Sequence, residues 1–424
     1  MSFSKKIIQS QLFKIVSLNS FSVALKIGIG LITSKFLAVF IGPSGMALVG
    51  NLRNFLTSLE SISTLGFQTG IVKYVAENKK NDEELQKIIA TVFISLIVIV
   101  FFLSSVLYFF ADFWNAKIFS FHFDYAVIFK ALSFSVPWYA VSIILLSILN
   151  GLGSFKKVIW VNIIGNVVGL IVSLTLVLQY KILGALLAAV ISPSILFFVT
   201  FYFLNKEINF LNVIRVNLFD FKIIKNLSNY SLMALFSSIL GPFIFLVIRN
   251  NIIENLGLQE AGFWETMTRI SSYYLMFVSS VLSVYFFPKL VMSQNENETK
   301  IIFWTFYKFI LPIFIFGFVI IYFFRFFIIR LLFTIEFLPV TDLFFWQLLG
   351  DVFKVSSLIL GFQFFAKKMT KAFIITEVGS LAILYFLSVL LIKIFGVEGV
   401  VIAQAIDNFI YLVVLGFYFR RSLF

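Results

Sequence analysis

Apolar residues fall in long uninterrupted blocks along this chain, and twelve of the blocks reach the roughly 20 residues that carry a helix across a bilayer. They lie at about 12–40, 45–72, 88–110, 126–149, 157–178, 182–204, 226–250, 261–288, 301–324, 340–366, 372–394 and 399–419, each bounded by turn-forming or charged residues. The pattern predicts an all-α integral membrane protein of about 12 transmembrane helices. One longer polar segment, about 205–225, holds Asn205, Lys206, Glu207, Asn209, Asn212, Arg215, Asn217 and Asp220 and divides the series evenly. The expected organisation is an N-terminal six-helix lobe at 1–205, a cytoplasmic linker at 206–225 and a C-terminal six-helix lobe at 226–424.

The few polar positions inside the blocks are spaced as stripes. At about 100° per residue, Asn19, Ser22, Lys26 and Thr33 share a face of the first helix, and Arg53, Thr57, Glu60 and Thr64 a face of the second. In the other half, Glu265, Arg269, Ser272, Ser279 and Ser283 line the eighth helix, and Gln347, Asp351 and Lys354 the tenth. A charge at a helix centre costs at least about 2.5–3.5 kcal/mol, so such residues face a bundle interior or a water-filled cavity. The stripes therefore predict two lobes around a central cationic cavity, with Lys26, Arg53, Arg269 and Lys354 as its cations. Each stripe also has a plainer reading. Glu265 with Arg269, and Asp351 with Lys354, have the spacing to neutralise one another on their own helices. Lys14, Lys35, Lys130 and Lys308 lie nearer helix ends and can snorkel to the headgroups. Glu377 and Asp407 are isolated acids; with Glu60 and Glu265 they are candidates for coupling or charge balance.

The two halves are weakly alike. Gly42-Pro43-Ser44-Gly45 precedes the helix bearing Arg53, and Gly257 to Gly262 precede the helix bearing Arg269. With six helices per half, both repeats enter the membrane from one side, so their axis should run along the membrane normal.

Composition sharpens this reading. Of 424 residues, 61% are hydrophobic, 58 are Phe and only 12% are charged, with a mean hydropathy of +1.03. Of the 33 Lys and Arg, nineteen fall in segments on the same side as the N-terminus, six in the opposite connections, Arg249 among them, and eight inside the blocks. The positive-inside bias then places both termini in the cytoplasm, and the net charge of +13 reflects a basic collar beside anionic headgroups rather than a nucleic-acid surface. No Cys is present, and His122 is the sole His, in a short connection, which argues against thiolate or His-based metal sites and against a catalytic dyad. No catalytic or metal-binding residue is assigned and no cofactor is expected. The N-terminus lacks a compact signal-peptide core and cleavage site. With no Walker A motif, energy would come from a proton or sodium gradient, the membrane potential or the substrate gradient. A guanidinium and an ammonium together suit a phosphate or pyrophosphate.

The runs Lys26-Ile27-Gly28-Ile29-Gly30-Leu31, Lys35-Phe36-Leu37-Ala38-Val39, Asn51-Leu52-Arg53 and Val72-Lys73-Tyr74-Val75-Ala76 resemble the N-terminal half of the Wzx-type O-antigen translocases. Phe287-Pro288-Lys289-Leu290, Trp346-Gln347-Leu348-Leu349-Gly350-Asp351-Val352-Phe353-Lys354-Val355 and Glu377-Val378 extend the likeness through the second half. The resemblance is strongest to the branch that moves the enterobacterial common antigen lipid intermediate. It implies the multidrug/oligosaccharidyl-lipid/polysaccharide exporter fold, alternating access, and a flippase carrying undecaprenyl-pyrophosphate-linked oligosaccharide from the inner to the outer leaflet of the bacterial cytoplasmic membrane. By that likeness Lys26, Arg53, Asp351 and Lys354 stand at matching substrate-binding positions, and Arg269 is placed by its stripe. Membrane lipids surround such a protein, and a polymerase and a chain-length regulator are candidate partners. A drug or cation antiporter of the same general fold and a membrane polysaccharide polymerase or acyltransferase are the competing readings. The first would favour cavity acids over cations, and the second would need a catalytic constellation that the sequence does not offer.

Overall fold

The computed structural model describes residues 2–119, 123–208 and 216–423, with side chains except at 2–17, 19, 20, 216, 226 and 229–234. His122, Asn209, Asn212 and Arg215, and the side chains of Lys14 and Asn19, therefore lie outside the described residues.

In chain order the helices are α1 (Ser2–Ser63), α2 (Gln68–Glu77), α3 (Asp82–Phe109), α4 (Ala111–Phe119), α5 (Ala126–Gly151), α6 (Phe155–Asn205), α7 (Phe221–Leu256), α8 (Leu258–Val281), α9 (Phe287–Met292), α10 (Glu296–Thr305), α11 (Leu311–Phe323), α12 (Arg325–Leu332), α13 (Val340–Ala366), α14 (Thr370–Phe395), α15 (Glu398–Tyr418) and α16 (Arg420–Leu423). No strand occurs among the described residues. Wider π turns at Leu282–Phe286 and Phe306–Ile310 join α8 to α9 and α10 to α11, so each pair forms one long rod.

Ten stretches among the described residues are long and apolar enough to cross a membrane. Two of them, Phe21–Glu77 with 57 residues and Phe155–Asn205 with 51, exceed what one crossing can hold. At 1.5 Å per residue either would run about 75–85 Å against a hydrocarbon core of about 30 Å. Each breaks where the backbone leaves the helical region, at Gly42 (φ 61°) in α1 and at Lys181 (φ 49°) in α6. Gly42 has no Cβ to oppose a positive φ, and Pro43 follows it at a position that cannot supply a backbone N–H. Each broken stretch thus holds two crossings, and the ten stretches give the twelve spans read from hydropathy. The chain is a multi-pass membrane protein.

Local chemistry sets the helix ends. Asn81 caps α3 by accepting from the Glu84 N–H at 3.2 Å, ahead of Asp82, Glu83 and Glu84 in the first turn. Gly396 (φ 60°) closes α14, its N–H returning to the Ile392 carbonyl at 3.0 Å.

The structure divides into two compact units, Met1–Thr33 with Asn51–Ile239, and Ser34–Gly50 with Leu240–Phe424. In the first, α5 packs on α2, α3 and α6 around Ile128, Phe129, Ile144 and Leu145. In the second, α13 is central, packed on α8, α14 and α15 around Phe344, Val355, Ile359 and Phe364. Exposed Phe101, Phe109, Phe134, Phe198, Phe316, Phe323 and Phe386 project from the surface as side chains facing acyl chains do. A salt bridge of 2.9 Å joins Lys157 of α6 to Glu207. The Ser154 hydroxyl, donating at 2.6 Å, and Lys157 hold the Glu207 carboxyl below the usual carboxylate range.

Candidate functional site: buried charge clusters

The largest concentration of buried charge in the second unit centres on Glu265 of α8. Its carboxylate accepts from the Arg249 guanidinium at 2.6 Å, and neither side chain reaches solvent. Arg269, one turn along α8, approaches the other carboxylate oxygen at 3.6 Å. Trp264 packs against Arg249, 5.0 Å from guanidinium carbon to ring centroid, and presents its indole N–H to Gln404 at 3.5 Å. Arg269 also donates to the Ser34 hydroxyl at 3.5 Å, which is 2.8 Å from the Tyr273 hydroxyl. Gly50 leaves the space this arrangement needs, since a Cβ there would stand 2.4 Å from a Glu265 carboxylate oxygen and 3.0 Å from the Arg249 guanidinium carbon.

Arg249 corrects the sequence reading. Hydropathy ends the seventh apolar block beside Asn250 and Asn251, which puts Arg249 in an outer connection. The helix instead continues to Leu256 and buries Arg249 completely. The Glu265–Arg269 spacing was legible in the sequence, but the shorter and better partner of Glu265 comes from another helix.

The second cluster joins α8, α13, α14 and α15. Asp351 is held by neutral donors: Ser271 at 2.7 Å, Gln347 at 3.2 Å and the Tyr274 hydroxyl. It makes no ion pair with Lys354, although the two are one turn apart. Lys354 instead interacts electrostatically with three acids, Asp351, Glu377 and Asp407. Glu377 lies in the electrostatic neighbourhood of Tyr411, and Asp407 accepts from Ser380 at 2.9 and 3.0 Å. The two acids that look isolated in the sequence thus share a neighbourhood with the half-buried Lys354.

In the first unit, Glu60 accepts from the Tyr139 hydroxyl and from the Gln68 amide at 3.3 Å. Lys26 is exposed on α1, and Arg53 is half-buried one turn before Thr57. In the second unit, Lys35 donates to the backbone carbonyls of Phe333 at 2.5 Å and Arg330 at 3.5 Å. The partners that sequence reading missed, Tyr139, Ser271 and Tyr274, carry single hydroxyls that do not stand out against an apolar block. Their role is to keep buried carboxylates hydrogen-bonded without adding charge, which is the condition for keeping such groups inside a membrane.

The polysaccharide biosynthesis protein family matches residues 12–295. The chain belongs to that family. Over its greater length it is also similar to the lipid III flippases of Escherichia coli (strain K12) and Shigella flexneri, 28% identical in each case over 398 residues, covering 92% of this chain and 94% of the relative. Among solved structures, an inward-facing MATE family multidrug resistance transporter of the MOP superfamily superposes with a TM-score of 0.77 at 14% identity, covering 95% of this chain and 94% of the other. A MOP superfamily transporter from Pyrococcus furiosus, noted for the reversed polarity of its binding pocket, gives 0.72 at 13% identity, covering 97% and 95%. At such identities these structures establish the fold. This family member shares the helical fold of these transporters.

Proposed function

We propose that this chain is a flippase for lipid-linked oligosaccharide, moving an undecaprenyl-pyrophosphate-linked glycan from the inner to the outer leaflet of the bacterial cytoplasmic membrane with both termini in the cytoplasm. The observation that carries the reading is the similarity to two lipid III flippases across 92% of the chain. The charge pattern supports it. In a membrane interior a cation that belongs to no single carboxylate is suited to an anionic ligand, and Lys354 stands in that relation to its three acids.

The proposed roles follow. Lys26, Arg53, Arg269 and Lys354 receive the phosphates, the guanidinium groups by paired hydrogen bonds and the ammonium groups as point charges. Asp351 keeps α13 in register with α8 through Ser271 and Tyr274. Glu377 and Asp407 are the coupling candidates for a proton or sodium gradient, with Glu60 and Glu265 balancing charge. The polyprenyl tail stays in lipid, no covalent bond changes, and the site opens alternately to the two sides. A polymerase and a chain-length regulator would act on the delivered glycan.

The deciding experiment reconstitutes purified protein in liposomes and follows a fluorescent undecaprenyl-pyrophosphate oligosaccharide, comparing wild type with Arg53→Ala and Lys354→Met under an imposed proton or sodium gradient. Flipping by wild type that both variants lose, at unchanged abundance, is expected. Transport of a cationic dye in place of the glycan would replace this reading with an antiporter.

A further inference from the structure

At the end of the second unit where α9 meets α10, a cavity of about 420 Å³ is lined by Gln363, Lys367, Asn295, Glu296, Tyr418 and Arg421, among others. None of these residues belongs to the charge clusters described above. The cavity is firmly built. Lys367, just past the end of α13, donates to the Ser293 carbonyl at 2.5 Å and ties that end to the α9–α10 turn. Asn295 caps α10 by accepting from the Glu298 N–H at 2.9 Å. The Trp304 indole donates to the Leu423 carbonyl at 2.9 Å, pinning α16 to α10. The Phe419 ring lies 5.0 Å from that of Phe364. Arg420 stacks on Phe417 at 4.7 Å, whereas Arg421 lines the cavity.

Three features define what this cavity would hold. Lys367 and Arg421 supply cations, and the lysine ammonium has donors beyond the one used on Ser293. Gln363 is only 6% exposed, and its side-chain oxygen is buried with no hydrogen-bond partner. An unmet buried acceptor calls for a donor brought by something else. Glu296, also in the lining, favours that donor being positively charged. Tyr418 in the lining is exposed, as are Val291, Met292, Ile301, Trp304 and Phe417 on the helices whose ends form the cavity. Such an apolar and aromatic fringe beside basic residues is characteristic of the membrane–water interface, where a headgroup continues into acyl chains.

We propose that this cavity binds the headgroup of an amine-bearing phospholipid, phosphoethanolamine in chemistry, with the phosphate on Lys367 and Arg421 and the ammonium toward Gln363 and Glu296. The site is independent of the transport cycle proposed above.

Native mass spectrometry of the full-length protein, released from mild detergent with phosphatidylethanolamine or phosphatidylcholine of identical chains, tests it. Wild type should retain phosphatidylethanolamine with about a tenfold preference, equivalent to about 1.4 kcal/mol. Gln363→Leu should abolish the preference while leaving phosphate-dependent retention, and Arg421→Gln, a change at an exposed residue, should lower retention of both lipids. Equal retention of the two lipids by wild type would overturn the proposal, as would unchanged binding in Arg421→Gln. Displacement of the lipid by millimolar inorganic phosphate alone would assign the cavity to a free anion and overturn it too.

Discussion

Glu265 and Asp351 are both sealed inside the second unit, yet they are held in opposite ways. Glu265 is countered by guanidinium groups, Arg249 at 2.6 Å and Arg269 at 3.6 Å. Asp351 is held by a serine, an amide and a tyrosine hydroxyl, with Lys354 acting only at longer range. Charge pairing between Arg249 and Glu265 locks α7 to α8. Neutral donors achieve the same satisfaction for Asp351 while leaving Lys354 shared among several acids. A protein that must offer a cation to a passing anion cannot pair every buried cation tightly, and the contrast separates the close Arg249–Glu265 lock from the more loosely held Arg269 and Lys354.

The widest separation between the two regions is expected from breaking each acid's contacts. Glu265→Ala would strand the Arg249 guanidinium in a fully buried place and should cost about 3–5 kcal/mol, seen as a large fall in thermal midpoint or loss of folded protein in detergent. A near-normal midpoint would mean the pair is no lock. Tyr274→Phe deletes one neutral donor to Asp351 and should cost about 1.5–3 kcal/mol by the same measurement, the range for a hydrogen bond to a charged group. Gly50→Ala presses a methyl against the Glu265 carboxylate and should cost about 1–3 kcal/mol as overpacking. If it is silent, the carboxylate has room that the geometry denies.

The smallest effect should come from the interface pair outside the spans. Because Ser154 and Lys157 lower the Glu207 pKa in the folded state, the stabilisation is present above the unfolded carboxylate value and is lost as pH falls through the folded one. Glu207→Gln should therefore cost only about 0.2–1 kcal/mol at neutral pH, given the partial exposure of the pair, and the difference from wild type should vanish in acid. A difference that persists below the carboxylate range would point to packing instead of charge.

Much of the candidate site was legible in part. The stripe of Gln347, Asp351 and Lys354 reads directly from helical spacing, as does the one-turn relation of Glu265 and Arg269. Spacing along one helix also suggested that each acid pairs with the base one turn away. For Asp351 the structure shows another solution, because Ser271 and Tyr274 of α8 reach its carboxylate first. Arg249 was hidden by its position beside Asn250 and Asn251, where polarity imitates a loop although α7 continues to Leu256.

The amino-acid sequence alone determined that this chain crosses the membrane about twelve times and that polar stripes run along the first, second, eighth and tenth of its spans. Those properties follow from the transfer cost of each segment into hydrocarbon, a sum over neighbouring residues. Only the tertiary structure decided that Arg249 is the partner of Glu265, that Glu377 and Asp407 share Lys354, and that Gln363, whose buried oxygen has no partner, lines a cavity. Each of these depends on residues far apart in the chain meeting at hydrogen-bond or Coulomb range, and that proximity is set by how helices pack against one another within a unit.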